Sequence, residues 1–205
     1  MLKGLPLTTV MEGVRVLGFS FGEVEGIVRA MHDVADEAGA IGSRFRYFQR
    51  LRFPEGANTG RGVPATYGLD QLMQVLVAFE LSEAGMSPTR IVRTLRTNWA
   101  RLRPVMRQGW AAGRGMAEWR EREVLVLEPA ALTDASRAED AYVSVENPLV
   151  PMPAFALNGW AQGRDGPPRL LVIDPGRLVS ELRRAFPIVT ALTAEDLDEA
   201  FESYR

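Results

Sequence analysis

The sequence predicts an α+β protein in two parts, a mostly helical N-terminal part and a small C-terminal part that mixes strands and helices. Apolar residues recur every three or four positions through most of residues 1–108, which is the spacing of amphipathic helices. After residue 122, short runs rich in β-branched residues end in turn formers, which is typical of strands. The glycine-rich segment 109–122 is the expected junction. We therefore expect domains at 1–108 and 123–205.

The composition is that of a globular protein with a hydrophobic core. The chain has 205 residues, of which 46% are hydrophobic and 24% are charged. It contains no cysteine, which excludes disulfides, thiolate catalysis and cysteine-ligated metal sites. Polar residues interrupt the N-terminal segment, and no apolar run approaches the roughly 20 residues of a membrane span. We therefore expect no signal peptide, no membrane partner and a cytoplasmic location.

The charges are distributed unevenly along the chain. The net charge is −2, yet residues 44–110 carry eleven basic and four acidic side chains. Residues 1–43 and 111–205 each carry an excess of acidic side chains. All basic residues except Lys3 are arginines, whose planar guanidinium suits phosphate and guanine. This pattern predicts an anionic partner for the middle segment alone.

A capping box opens the first predicted helix. Ser20 is followed three residues later by Glu23, so each side chain can satisfy the backbone N–H of the other residue. Gly39 is expected to end the helix. The apolar positions with helical spacing predict one buried face, formed by Val24, Ile27, Val28, Met31 and Val34.

The second predicted helix, at about 41–52, contains the segment RFRYFQRLRF, with four arginines, four aromatic residues and no carboxylate. Helical spacing separates two sides of this helix. The side expected to face a core holds Ile41, Phe45, Phe48 and Leu51. The opposite side holds Ser43, Arg46, Tyr47 and Arg50.

A glycine-rich loop, PEGANTGRGVPATYG, follows the second helix. Its glycines permit positive φ angles and a close backbone approach to a ligand, and Arg61 lies at its tip. Two further helices follow. The first is ended by Gly85, and the second begins after Ser87 with Pro88 in its first turn.

The C-terminal part is predicted to hold three strands and two helices. The strands are EVLVLEP, AYVSVEN and RLLVIDP. Asp174 is expected to cap the first of these helices. Thr193 is expected to cap the last helix, whose first turn is acidic.

Helix, helix, glycine-rich loop, helix and helix is the order of a winged helix-turn-helix. In that arrangement the second helix enters the major groove of DNA, and the wing touches the flanking backbone or the minor groove. The N-terminal part is therefore expected to bind double-stranded DNA. The predicted DNA-binding residues are Ser43, Arg44, Arg46, Tyr47, Arg50, Asn58, Thr59, Arg61, Thr66 and Tyr67.

These segments resemble the DNA-binding domain of MerR-type transcription regulators. The similarity covers about residues 20–100, and it is carried by FRYFQRLRFP, ATYGLDQL and LVAFELSEAGMSPTRIVRTL. The resemblance implies that Arg46 and Tyr47 contact phosphates, that Tyr67 is the wing tyrosine and that Asp70 opens the third helix. It also implies a bacterial transcription regulator.

The chain departs from the MerR pattern in three places. Ala65 stands where the family has a wing arginine, so Arg61 is the candidate for that contact. The connection between the first two helices is longer than the family's tight turn. The family's long dimerisation helix is not evident after residue 100, and the C-terminal half is unmatched.

Several functional readings follow from this pattern. The main expectation is a sequence-specific DNA-binding regulator that forms a homodimer through the C-terminal domain or the junction and associates with the nucleoid. One alternative is an adaptor that docks on RNA polymerase or another protein, and another is a C-terminal domain that senses a ligand. A third alternative is that the arginine-rich side of the second helix is simply a solvated surface.

We expect no enzyme activity and no cofactor. The sequence contains no P-loop, no dinucleotide-binding glycine pattern and no nucleophile elbow. His32 is the only histidine, so a transition-metal site is not expected.

Overall fold

The computed structural model describes residues 7–11, 14–32, 39–57, 64–115, 118, 121–127, 132, 148–157, 159, 170–202 and 204. The predicted strand AYVSVEN lies outside these residues, as do the predicted DNA-binding residues Asn58, Thr59 and Arg61. Side chains before Leu17 are likewise outside the description.

The described residues form an α+β fold, which confirms the predicted class. The strands are β1 (Leu7–Met11), β2 (Val14–Ser20), β3 (Thr66–Tyr67), β4 (Glu123–Leu127), β5 (Val150–Pro153) and β6 (Leu171–Ile173). The helices are α1 (Phe21–His32), α2 (Ala40–Arg50), α3 (Leu69–Glu83), α4 (Pro88–Gly113), α5 (Pro175–Val189) and α6 (Ala194–Glu202). None of the described helices is long and apolar enough to cross a membrane.

The chain divides into two compact units. The first unit contains residues 1–77 and 181–205, and the second contains residues 78–180. The boundaries fall inside α3 and inside α5. This division differs from the predicted boundaries at 108 and 122, because the C-terminal residues pack within the first unit. The functional assignment of the predicted domains stays a prediction.

The first unit is built around a small antiparallel sheet with strand order β1-β2-β3. Phe19 of β2 is fully buried and meets Phe186 of α5 edge-on, with ring centroids 5.7 Å apart. Near the C-terminus, the hydroxyl of Tyr204 donates a 2.8 Å hydrogen bond to Asp70 of α3. The C-terminal residues therefore complete the core of the unit that holds α1, α2 and the start of α3, whereas the rest of the predicted winged helix-turn-helix, including α4, belongs to the second unit.

The predicted helix caps are present in the first unit. Glu23 accepts hydrogen bonds from the backbone N–H and the hydroxyl of Ser20, both at 2.8 Å, which confirms the capping box. Thr193 and Asp196 form the same reciprocal arrangement at the start of α6. Val24, Ile27 and Val28 are fully buried, as the helical spacing predicted.

The second unit contains α4 and a sheet with strand order β5-β4-β6, all antiparallel. The prediction of strands at EVLVLEP and RLLVIDP is confirmed. Asp174 accepts a 2.8 Å hydrogen bond from the backbone N–H of Gly176, which confirms its predicted capping role. Strand β5 was not predicted, since two of its four residues are prolines, and it lies at the edge of the sheet, where proline is tolerated.

Helix α4 extends to Gly113, which is five residues into the predicted junction. The glycines in this stretch do not end the helix; they permit close packing of α4 against the start of α5. A Cβ atom built at Gly109 would lie 2.7 Å from the carbonyl carbon of Pro175. One built at Gly113 would lie 2.8 Å from the carbonyl oxygen of Gly176. The absent side chains thus let the start of α5 lie directly on α4.

Candidate nucleic-acid interface

Helix α2 has two chemically distinct sides, as predicted. Ile41, Phe45 and Phe48 are buried in the first unit. The exposed side chains at the opposite side, which we call the outward face, are Ser43, Arg46, Tyr47 and Arg50. The helix ends at Arg50, two residues earlier than predicted, because Leu51 and Arg52 form a turn in which Arg52 has a positive φ of 56°.

The outward face is electrostatically positive. Helix α2 contains no acidic residue, and no side chain caps its first turn, so its N-terminal N–H groups add to the positive potential. Among the described residues, Arg46 and Arg50 have no carboxylate partner. The guanidinium carbon of Arg50 lies 5.2 Å from the centre of the Tyr47 ring, in a cation–π arrangement. None of the described carboxylates forms an ion pair with Arg46 or Arg50, although Glu25 of α1 lies near the first turn of α2.

Aromatic residues beneath α2 hold the helix in place. Phe45 stacks on Phe21 of α1, with ring centroids 4.6 Å apart and planes 11° apart. The same ring is tilted against Tyr67 at 5.4 Å. Phe48 meets Phe53 edge-on at 5.9 Å, just beyond the end of α2. Fully buried rings have few accessible rotamers, so they fix the direction in which the outward face points.

Helices α1 and α2 approach closely at a glycine. A Cβ atom built at Gly42 would lie 2.8 Å from Oε1 of Glu25, which also accepts a 2.9 Å hydrogen bond from Arg29. Gly42 is buried. The small residue leaves room for the Glu25 carboxylate near the first turn of α2, where a negative charge is favourable.

Tyr67 does not lie on the outward face, although it was predicted to contact DNA. Its side chain is fully buried, and its hydroxyl accepts a 2.9 Å hydrogen bond from Nε2 of Gln49. Burial raises the pKa of the Tyr67 hydroxyl, and the hydrogen bond from Gln49 opposes this effect. In strand β3, Tyr67 pairs with Phe19 of β2. A ring without exposed surface cannot reach a phosphate, so we assign Tyr67 to the support of α2.

The other predicted residues of this region differ in exposure and in their contacts. Thr66 is exposed, next to Tyr67 in β3. Arg44 is half-buried at the edge of the outward face and makes contacts within the protein. Asp70 opens α3, as the MerR resemblance implied, and its carboxylate accepts hydrogen bonds from Gln74 and Tyr204.

Gln71 connects the two ends of the predicted wing. Its Oε1 atom accepts a 2.8 Å hydrogen bond from the backbone N–H of Gly68. Its Nε2 atom donates to the carbonyl oxygen of Glu55 at 3.3 Å. Sequence reasoning did not find this role. A signal was present, because Gln71 is the third residue of α3, the position at which a capping box places a glutamine.

The second unit also contains exposed arginines and a cavity lined by charged residues. Exposed arginines recur along α4 in the second unit, at Arg93, Arg96, Arg101 and Arg107. A cavity of about 320 Å³ in the same unit is lined by residues of α4 and by Glu121, Arg122 and Glu123. Within the described part of the chain, no group of three or more histidine, aspartate or glutamate side chains could hold a metal ion.

No family model, no curated protein and no solved structure matches this chain. The resemblance to MerR-type regulators stays a prediction that rests on the sequence motifs.

Proposed function

We propose that this chain binds double-stranded DNA through the outward face of α2 and acts as a transcription regulator of the winged helix-turn-helix class. The observation that carries the proposal is the outward face itself. This face exposes Arg46, Tyr47 and Arg50 on a helix that lacks acidic residues. The other side of the helix packs against buried aromatic rings. Such a helix is rigid and positive, which suits a major groove.

Phosphate contacts would supply most of the affinity. Each arginine that neutralises a phosphate releases a counterion, so binding should weaken steeply as salt rises. The Tyr47 hydroxyl can donate a hydrogen bond to a phosphate oxygen. The loop between Ala57 and Pro64 would act as the wing, with its two sides tied by Gln71.

A face that docks in an apolar groove of another protein would be expected to carry apolar anchors. Such interfaces place well-packed apolar, aromatic or arginine anchors at their centre and are depleted there of lysine, glutamate and aspartate. The outward face has one partly exposed ring, Tyr47, between two arginines whose charges have no described carboxylate partner. This chemistry favours a polyanion over an apolar protein groove.

The proposed regulator would act as a homodimer on chromosomal DNA. A single recognition helix covers only a few base pairs, so readers of this class usually place two copies on related half-sites. Protein bound in this way would be found with the nucleoid. The prediction is checked by the protein-to-duplex ratio of the complex in analytical ultracentrifugation.

Fluorescence anisotropy against mixed genomic DNA fragments, titrated across salt, tests the proposal. We expect salt-sensitive binding, with some fragments retained above the non-specific background. Arg46→Ala should weaken binding to all fragments and reduce the salt slope by about 1. Arg184→Ala is the matched control, since this arginine is 74% exposed in α5 of the same unit and lies 3.7 Å from Glu181. If the wild-type protein does not bind at low salt, the DNA proposal fails and docking on a protein partner becomes the function to test.

A further inference from the structure

The outward face of α2 has a centre and two flanks. Ser43 and Arg50 are seven residues apart and therefore about 20° apart around the helix axis. Relative to Ser43, Arg46 lies about 60° to one side and Tyr47 about 40° to the other. A helix in a major groove points its centre at the base edges and its flanks at the phosphates of the two strands. Arg50 therefore lies near the centre of the outward face, where base edges are expected, and Arg46 lies on a flank, where a phosphate is expected.

Arg50 is also held differently from Arg46. Its guanidinium carbon lies 5.2 Å from the centre of the Tyr47 ring, whereas Arg46 stacks on none of the described aromatic rings. Stacking on an aromatic face limits the rotamers of a long side chain and leaves the edge of the guanidinium, with its N–H donors, free to bind. Arg50 has no carboxylate partner among the described residues that would occupy those donors.

We infer that Arg50 reads a guanine in the major groove and that Tyr47 positions it for this contact. The guanidinium fork matches the two acceptors O6 and N7 of guanine, which no other base presents as a pair in that groove. Arg46 would instead bind a phosphate and carry no sequence information. This inference rests on the proposed DNA-binding function and adds the base that the helix selects.

The two roles have different mutational signatures. Loss of a phosphate contact weakens binding to every sequence about equally, whereas loss of a base contact relaxes the preference at one position. A good bidentate contact to guanine discriminates against the wrong base by roughly 5- to 150-fold. The comparison of Arg46 with Arg50 can therefore be made on one helix, with one library of duplexes.

The experiment is selection from a randomised duplex library, followed by anisotropy on the enriched duplex and on its single-base variants. We expect the wild-type protein to enrich a guanine at one position of each half-site. Arg50→Lys keeps the charge but removes the fork, so it should lose most of the discrimination at that position while it keeps the salt slope. Arg50→Ala should lose the discrimination as well and, because the charge is removed, should also reduce the salt slope. Arg46→Ala should keep the guanine preference and bind all duplexes more weakly.

Two variants of Tyr47 test the positioning role. Tyr47→Phe keeps the ring and removes only the hydroxyl, so the guanine preference should persist. Tyr47→Leu removes the ring face, so the preference should fall while charge and salt slope are unchanged. Equal guanine discrimination in these two variants would show that the ring does not position Arg50.

The outcomes separate the inference from the function on which it depends. If Arg50→Lys and Arg50→Ala both retain the wild-type guanine preference, the base-reading role of Arg50 is wrong while DNA binding stands. If the wild-type protein binds duplexes without any preference for guanine, the inference also fails and the DNA proposal survives. If the wild-type protein binds no duplex at low salt, both are wrong.

Discussion

The inner and outward faces of α2 use similar residue types for opposite purposes. Phe45 and Phe48 on the inner face are fully buried, whereas Tyr47, between them in sequence, is 39% exposed beside Arg50. The inner rings lose contact with water and gain close packing, which stabilises the fold. The outward ring keeps its contact with solvent and holds a cation. The contrast shows that the position of an aromatic residue around the helix, more than its type, decides whether it contributes to stability or to binding.

The largest effect on stability is expected from the inner face. Phe45→Ala removes a ring that packs on Phe21 and Tyr67, and it should lower the free energy of unfolding by about 3–5 kcal/mol. Tyr47→Ala, two residues away on the outward face, should cost on the order of 1 kcal/mol. Urea denaturation followed by circular dichroism measures both. Equal losses for the two variants would contradict the division of α2 into a packed face and a solvent face.

A smaller effect is expected at the border between the two faces. Gln49 is partly buried and donates to the hydroxyl of Tyr67, so Tyr67→Phe leaves that amide without its acceptor. The free energy of unfolding should fall by about 0.5–1.5 kcal/mol. Because Gln49 belongs to α2, we also expect the affinity for DNA to fall, although Tyr67 itself touches no DNA. The double variant Gln49→Leu with Tyr67→Phe should be less destabilised than the sum of the single variants, since both partners are then removed.

The same tyrosine makes stability depend on pH. Burial raises the pKa of folded Tyr67 above its ordinary value of 10.0, so the folded state holds this proton more tightly than the unfolded state. The contribution is fully present below the unfolded pKa and is lost as pH rises through the folded pKa. We therefore expect the free energy of unfolding to fall above about pH 10, and to fall less in Tyr67→Phe. Urea titrations of both proteins at neutral and alkaline pH measure the difference, and identical pH profiles would contradict the burial of this hydroxyl.

The sequence predicted the buried and exposed faces of α2 from local spacing. It did not predict the burial of Tyr67, because that depends on contacts between distant segments. The spacing of Phe45, Phe48 and Arg46 depends on helix geometry alone, so it could be predicted from the sequence. The burial of Tyr67 depends on the pairing of β3 with β2, which lies 48 residues earlier in the register Phe19↔Tyr67. Strands β1 and β2 were themselves not predicted. A pattern read along the chain cannot place a residue whose neighbours come from another segment.

The division of the chain was missed for the same reason. The contact of Phe186 with Phe19 and that of Tyr204 with Asp70 join segments more than 130 residues apart. A local reading assigned the last helices to a separate C-terminal domain, because they follow three strands in sequence. Their buried aromatic residues belong to the first unit. Truncated proteins that end before α5 are therefore unsuitable for tests of DNA binding.

Substitutions on the outward face are expected to change stability least and DNA binding most. Arg46 is exposed and has no described carboxylate partner, so Arg46→Ala should change the free energy of unfolding by no more than about 0.5 kcal/mol. The like charges of Arg46 and Arg50, one helical turn apart, repel each other, so the variant can even be slightly more stable. A face that gains nothing for the fold from its charge is expected to use that charge for a ligand. If Arg46→Ala instead destabilised the protein by several kcal/mol at unchanged DNA affinity, Arg46 would belong with the inner face and α2 would not be the reader.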